Sequence, residues 1–164
     1  MAKITEKVKD FFTTAHVNME LLHGVLSEFL AVEMGGEALY EKALELVSDT
    51  EVRTKFRQFL KQTINHQKIL TDIIRKLGGN PSTQSPGAKV AAAKAQGLLR
   101  TMVRAGLSKD AAQLNAIENI VLAETKDHAD WELLGKIARQ TNDSQLREVL
   151  GPAVETVEQE KTNI

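Results

Sequence analysis

The chain has 164 residues, 26% of them charged and 42% hydrophobic, with a net charge of −1. This is ordinary globular composition, long enough for a single domain spanning 1–164 with a substantial core. The near-neutral balance gives no argument for a nucleic-acid or membrane partner, and the absence of cysteine excludes disulfides, thiolate zinc sites and cysteine nucleophiles.

No run of about 18 apolar residues is present to span a bilayer. The segment from Met1 to Lys7 lacks the apolar core of a signal peptide, which makes the cytoplasm the expected location. Ile4, Val8, Phe11 and Phe12 predict a short amphipathic helix over 3–14, or the first turns of the next one. A long helix follows over about 17–47, with Leu22, Leu26, Phe29, Leu30, Leu44 and Val47 at helical spacing. Ser48-Asp-Thr-Glu51 reads as a capping box opening a second long helix. That helix runs to about Leu77 and stops at Gly78-Gly79-Asn80-Pro81. A polar loop, Pro81 to Gly87, precedes an alanine-rich helix from Ala88 to about Ala105. A third long helix starts near Ser108 or Lys109 and reaches about Arg139. Asn142 with Gln145 resembles another capping box, opening a final helix that Gly151-Pro152 should kink or split.

No segment alternates with period two, so the expected class is all-α. Two hairpins with short loops are separated by a long connection, 80–108, that carries its own helix. A connection of that length lets the second and third long helices run parallel.

Charged residues interrupt the apolar faces at chosen places. Glu33, Glu37 and Tyr40 share one face of the first long helix, since residues three, four and seven apart are neighbours. Taking a carboxylate out of water costs several kcal/mol unless a partner or a metal compensates it. In the second helix, Val52, Phe56, Phe59, Thr63, His66 and Leu70 form one stripe. Leu146, Leu150, Ala153, Val157, Glu160 and Ile164 repeat that spacing in the last. Glu33-x3-Glu37-x2-Tyr40 likewise matches Glu124-x3-His128-x2-Trp131. The two hairpins therefore read as degenerate copies, each placing ligand-type residues on its inner face.

Glu33, with Tyr40 seven positions on and then Ala43, resembles the first metal-site helix of ferritin-like proteins such as rubrerythrin and bacterioferritin. His66 followed by Leu77-Gly78-Gly79-Asn80-Pro81 resembles the second helix of many bacterial ferritin-like domains. The resemblance covers about residues 20–164. It implies a ferritin-like four-helix bundle with a long crossover connection and a di-metal carboxylate centre of iron or manganese, with oxidation or detoxification chemistry on dioxygen or peroxide. Glu33 and Glu124 match the single glutamates of that pattern, and His66 matches the histidine of the first Glu-x-x-His. The pattern departs at Thr63, where a glutamate would stand three residues before His66, and at Asn163, where a histidine would follow Glu160. The candidate ligands are Glu33, Glu37, His66, Glu124, His128 and Glu160. The alternative is a bundle that kept the fold and lost the metal, in which Glu33, His66, Glu124 and Glu160 hydrogen-bond to one another.

The remaining candidates have plainer readings. His16 and His23 lie away from the proposed centre and read as surface or packing residues. Lys89, Lys94, Arg100 and Arg104 read as a solvated face, since no aromatics accompany them. Glu155 is expected in solvent and Glu158 at the stripe's edge. The third long helix is apolar on two sides, with Ile117, Ile120, Val121 and Trp131 on one and Leu122, Leu133 and Ile137 on the other. A homodimer or the crossover helix would cover the second side.

Overall fold

The computed structural model describes residues 12–13 and 16–162. The fold is all-α: α1 Met19–Leu46, α2 Thr50–Lys76, α3 Pro86–Met102, α4 Lys109–Gln140 and α5 Ser144–Thr162. Ahead of α1, β1 (Phe12–Thr13) pairs antiparallel with β2 (His16–Val17), aligning Phe12 with Val17 and Thr13 with His16. This corrects two expectations, that the chain has no strand and that Phe12 and Thr13 are helical. A two-residue ladder is too short to leave an alternation in the sequence. The rest of the expected N-terminal helix lies outside the described residues. Among the described residues no helix is long and apolar enough to cross a membrane.

The helix starts follow capping chemistry. Asn18 accepts from the Leu21 amide at 3.0 Å, Ser85 from Ala88 at 3.1 Å and Ser108 from Ala111 at 3.2 Å. A cap of this kind contributes about 1 kcal/mol. Two caps sit one residue later than the sequence suggests. Asp49 rather than Ser48 caps α2, accepting from Glu51 and Val52 at 2.9 Å. Ser48 instead donates its amide and hydroxyl to Gln113, each at 2.8 Å. Asp143 rather than Asn142 accepts from the Leu146 amide at 3.1 Å. The connecting helix starts at Pro86, two residues before Ala88, because proline's fixed φ suits the first helical position. Gly78 and Gly106 have φ of 80° and 87°, a left-handed conformation that glycine adopts without strain. Pro152 does not split α5, which is continuous around it. Pro152 and Glu148 both face solvent, so water can satisfy the carbonyl whose helical donor proline lacks.

The helix directions follow from the contacts. His23 Nε2 lies 3.1 Å from the Leu77 carbonyl, while Tyr40 packs on Phe56 and Phe59 with ring centroids 5.5 and 6.2 Å away. The start of α1 thus meets the end of α2, and the two run antiparallel. Ser48 meets Gln113, Tyr40 meets Glu124 and Glu33 meets Trp131, so α1 and α4 are antiparallel as well. Hence α2 and α4 point the same way. The connecting helix α3 lies along α1 and parallel to it. Ser85 donates to the Gly24 carbonyl at 2.8 Å, and a Cβ at Gly35 would stand 2.6 Å from that of Ala95. Asn119, buried on α4, donates to the Leu98 carbonyl and the Thr101 hydroxyl at 3.2 and 2.7 Å and ties α3 down.

Two apolar clusters fill the interior. One joins Leu22, Leu26, Leu70, Ile73, Leu134, Ile137, Leu146 and Leu150. The other joins Leu39, Tyr40, Ala43, Phe56, Met102, Ala116 and Ile120. Each fully buried leucine or isoleucine contributes about 1.5–3 kcal/mol. Leu133 and Ile137, on the second side of α4, are buried in the first cluster, whereas Leu122 remains exposed. Between the clusters lies a layer of polar side chains.

Candidate metal centre

Four helices meet in this layer. Glu33 of α1 is only 3% exposed. Its Oε1 accepts from Trp131 Nε1 of α4 at 2.9 Å and lies 3.0 Å from His66 Nδ1 of α2. The other nitrogen of His66 lies 2.9 Å from Glu160 Oε2 of α5, and Asn65 donates to Glu160 Oε1 at 3.2 Å. The His66 ring packs edge-on against Trp131, centroids 5.2 Å apart. A ring with a carboxylate at each nitrogen donates from both as imidazolium, or from one when a carboxyl holds the proton.

Asp127 completes the group. It shares a hydrogen bond with Glu33, and Glu33, His66 and Asp127 present ligand atoms that all lie within 4.8 Å of one another. Burial pushes the Glu33 carboxyl up to about 7, against the hydrogen bonds from Asp127 and Trp131, with Glu124 and Asp130 adding repulsion. Burial also pushes Asp127 well above the usual carboxylate range, with the charge of Glu33 adding to it. Desolvation and like charge both favour the protonated form. The hydrogen bond favours the proton on Asp127, with Glu33 as acceptor.

Of the six residues singled out from sequence, Glu33, His66 and Glu160 are joined by direct hydrogen bonds. Glu124 stands beside them, half-buried, and accepts from Tyr40 OH at 2.6 Å. Burial raises the Tyr40 hydroxyl far above its ordinary range, so it remains a donor. Glu37 turns aside and accepts from Gln67 at 2.6 Å. His128 is exposed and lies near Glu132. Thr63, three residues before His66, and Val157, three before Glu160, are buried at 5% and 1% exposure. Glu155 is in solvent, and Glu158 pairs with Arg139 at 3.3 Å on the surface. Sequence reasoning missed Asp127. Its signal was the spacing Glu124-x2-Asp127-x3-Trp131, which puts all three on one face.

The donor set suits a cation. Two carboxylates and an imidazole are ligands for iron, manganese or zinc. Ligands about 2.0–2.2 Å from an ion stand at most about 4.4 Å apart, a span comparable to the 4.8 Å within which the atoms of the triad lie. Four carboxyl groups, Glu33, Glu124, Asp127 and Glu160, surround one imidazole. A divalent ion would displace the protons that burial and repulsion force onto Asp127 and Glu33.

A second buried charge lies beside this layer. Asp130 is held by Lys126 at 2.5 and 2.6 Å, and Lys126 also reaches Glu28 at 3.3 Å. Burial pushes Asp130 up to about 7 in spite of that ammonium.

No curated protein and no solved structure matches the chain. Residues 18–164 match a family model, so the carboxylate layer and all five helices fall within it, and the chain belongs to the family described as domain of unknown function DUF892.

Proposed function

We propose that the protein is a ferritin-like metal-binding protein that holds one divalent iron or manganese ion between its helices, with Glu33, His66 and Asp127 as ligands. The ferritin-like reading is supported by the helix directions: α1 antiparallel to both α2 and α4, and a connecting helix that runs along α1 and parallel to it. The metal reading rests chiefly on one observation, the buried triad whose ligand atoms lie within 4.8 Å of one another. One ion is favoured over two. Thr63, where the pattern would place a further carboxylate, carries only a hydroxyl and is buried among the helices. The protein's own residues bind, orient and neutralise. Trp131 fixes the Glu33 carboxylate, Glu160 holds the His66 ring, and Tyr40 fixes Glu124 beside the triad. An iron or manganese ion at this place supplies redox chemistry toward dioxygen or peroxide, the basis of an oxidation- or stress-related role.

A second reading is a bundle that has lost the metal. It is favoured by the hydrogen bonding: among the described residues no buried side-chain nitrogen or oxygen lacks a partner. The two separate on metal content after purification without chelator, followed by anaerobic addition of iron(II) or manganese(II). The expected result is one ion per chain in the wild type, strong loss in His66→Ala, and no loss in His16→Ala. A folded wild type that takes up neither metal leaves the second reading standing. Equal metal in the two variants removes His66 from the site.

A further inference from the structure

A cavity of about 420 Å³ opens between α1, α3 and α4, within the range of small-ligand sites. None of the residues of the carboxylate layer lines it. Its lining includes small residues from all three helices: Gly36 of α1, Ala95 and Gly97 of α3, and Ala123 of α4. A Cβ at Gly97 would meet nothing within 4 Å. Val90 and Leu122 stand on its rim, 54% and 59% exposed. Large aliphatic side chains held in water around a concave apolar surface mark a place that gains from being covered.

The charges that line the cavity select what covers it. Glu28 is already answered by Lys126 at 3.3 Å, and Lys126 is held by Asp130 at 2.5 Å. Lys94 also lines the cavity, is exposed, and makes no salt bridge among the described residues. Its long stem can lie along apolar wall while its ammonium reaches the mouth.

We propose that this cavity is a binding site for a small amphiphilic acid, with its apolar chain among Gly36, Gly97 and Ala123 and its carboxylate on Lys94. The site is independent of the carboxylate layer and holds whether or not a metal binds there.

Octanoate is the probe, with 1-octanol as its uncharged counterpart, and calorimetric titration of the full chain is the measurement. The wild type is expected to bind octanoate saturably, one per chain. Gly97→Leu puts a side chain into open space and should weaken octanoate binding by about tenfold or more. Lys94→Glu, at an exposed position, should weaken octanoate several-fold and leave octanol unchanged. Leu122→Ser, also at an exposed position, should weaken both and keeps the test decisive if Gly97→Leu does not fold. Circular dichroism checks folding of each variant. Absence of saturable binding to the folded wild type overturns the site, as does octanoate binding unchanged in Gly97→Leu and Leu122→Ser. Octanoate binding that Lys94→Glu leaves intact overturns the acid as the ligand class. If sedimentation shows a dimer that Leu122→Ser dissociates while octanoate fails to bind, the occupant is a second copy of the chain and the proposal falls.

Discussion

The α1–α2 and α4–α5 hairpins send matching residues into the polar layer and are treated differently by it. Each first helix carries a glutamate with an aromatic donor seven residues on. The aromatic of each serves the glutamate of the other: Trp131 donates to Glu33 at 2.9 Å, and Tyr40 donates to Glu124 at 2.6 Å. Each second helix adds one member of the His66–Glu160 pair, 2.9 Å apart. The layer is thus close to two-fold. Its burial is not. Glu33 and His66 are 3% and 7% exposed, whereas Glu124 is half-buried and the Glu160 side chain is 27% exposed. The same hydrogen bond is worth more where water cannot replace it. Repetition in sequence therefore predicts who pairs with whom, while burial decides which pair the fold depends on.

The largest expected effect comes from His66. His66→Ala removes two hydrogen bonds, opens a cavity against Trp131 and leaves Glu33 without its imidazole. That should cost about 3 kcal/mol of stability in metal-free protein. Glu160→Ala, on the more open half, should cost less than about 1 kcal/mol, since water can solvate what it leaves. Urea denaturation in chelator measures both. Equal losses would mean that the two halves of the layer are equally desolvated.

The pH dependence comes next and carries the sign of the asymmetry. The folded-state pKa of Glu33 is about 7 against an ordinary 4.5. The folded protein therefore binds the proton more tightly than the unfolded chain. Its contribution to stability is fully present below pH 4.5 and is lost as pH rises through about 7. The size is roughly 3 kcal/mol by linkage. Asp130, raised from 3.8 to about 7, acts in the same direction. Metal-free wild type should lose stability between pH 4.5 and 7 relative to Glu33→Gln, which keeps the shape and removes the titration. Parallel pH profiles for the two proteins would show that Glu33 is not a proton store.

Which parts of this layer can be read from sequence has a physical explanation. Glu33, His66 and Glu160 are legible because each interrupts an apolar stripe at helical spacing. Both caps missed by one residue involve adjacent cap-forming side chains, Ser48 beside Asp49 and Asn142 beside Asp143. Propensity does not separate such neighbours, and tertiary bonding does: Ser48 is committed to Gln113. Choosing His128 over Asp127 is a question of helix rotation. At about 100° per residue the two lie on opposite flanks of Glu124. Ala116, Ile120, Trp131 and Leu134 are buried and all lie on the Asp127 side, so that side faces in and His128 faces out. The apolar pattern alone held this information. Two-residue pairing ahead of α1 leaves no periodicity to read, and the cavity beside α3 arises from small residues on three separate helices.

Trp131→Phe tests the buried half of the reciprocal pair. It keeps an aromatic ring against His66 but deprives the Glu33 carboxylate of a donor in the core. Losing a donor to a buried charged group should cost about 2 kcal/mol. Glu33 would then hold its proton to higher pH, so the loss should be greater at pH 8 than at pH 5. A loss independent of pH would assign the effect to lost packing volume alone.

Tyr40→Phe is the matching change on the open half and has a smaller expected effect than Trp131→Phe. The ring stays packed on Phe56 and Phe59, because neither contact involves the hydroxyl. Only the donation to Glu124 is lost. Glu124 is half-buried, so water can take the vacated position and the cost should be about 1 kcal/mol or less. The ratio of the two losses is more informative than either one, since each variant removes one donor from one carboxylate at the same antiparallel register. A Trp131→Phe loss about twice that of Tyr40→Phe, measured from urea midpoints at pH 8, is the outcome expected if burial sets the strength of the pair. If Tyr40→Phe proves as costly as Trp131→Phe, Glu124 is as desolvated as Glu33. Both glutamates then belong to one closed polar core, with no open side through Glu124 and Glu160.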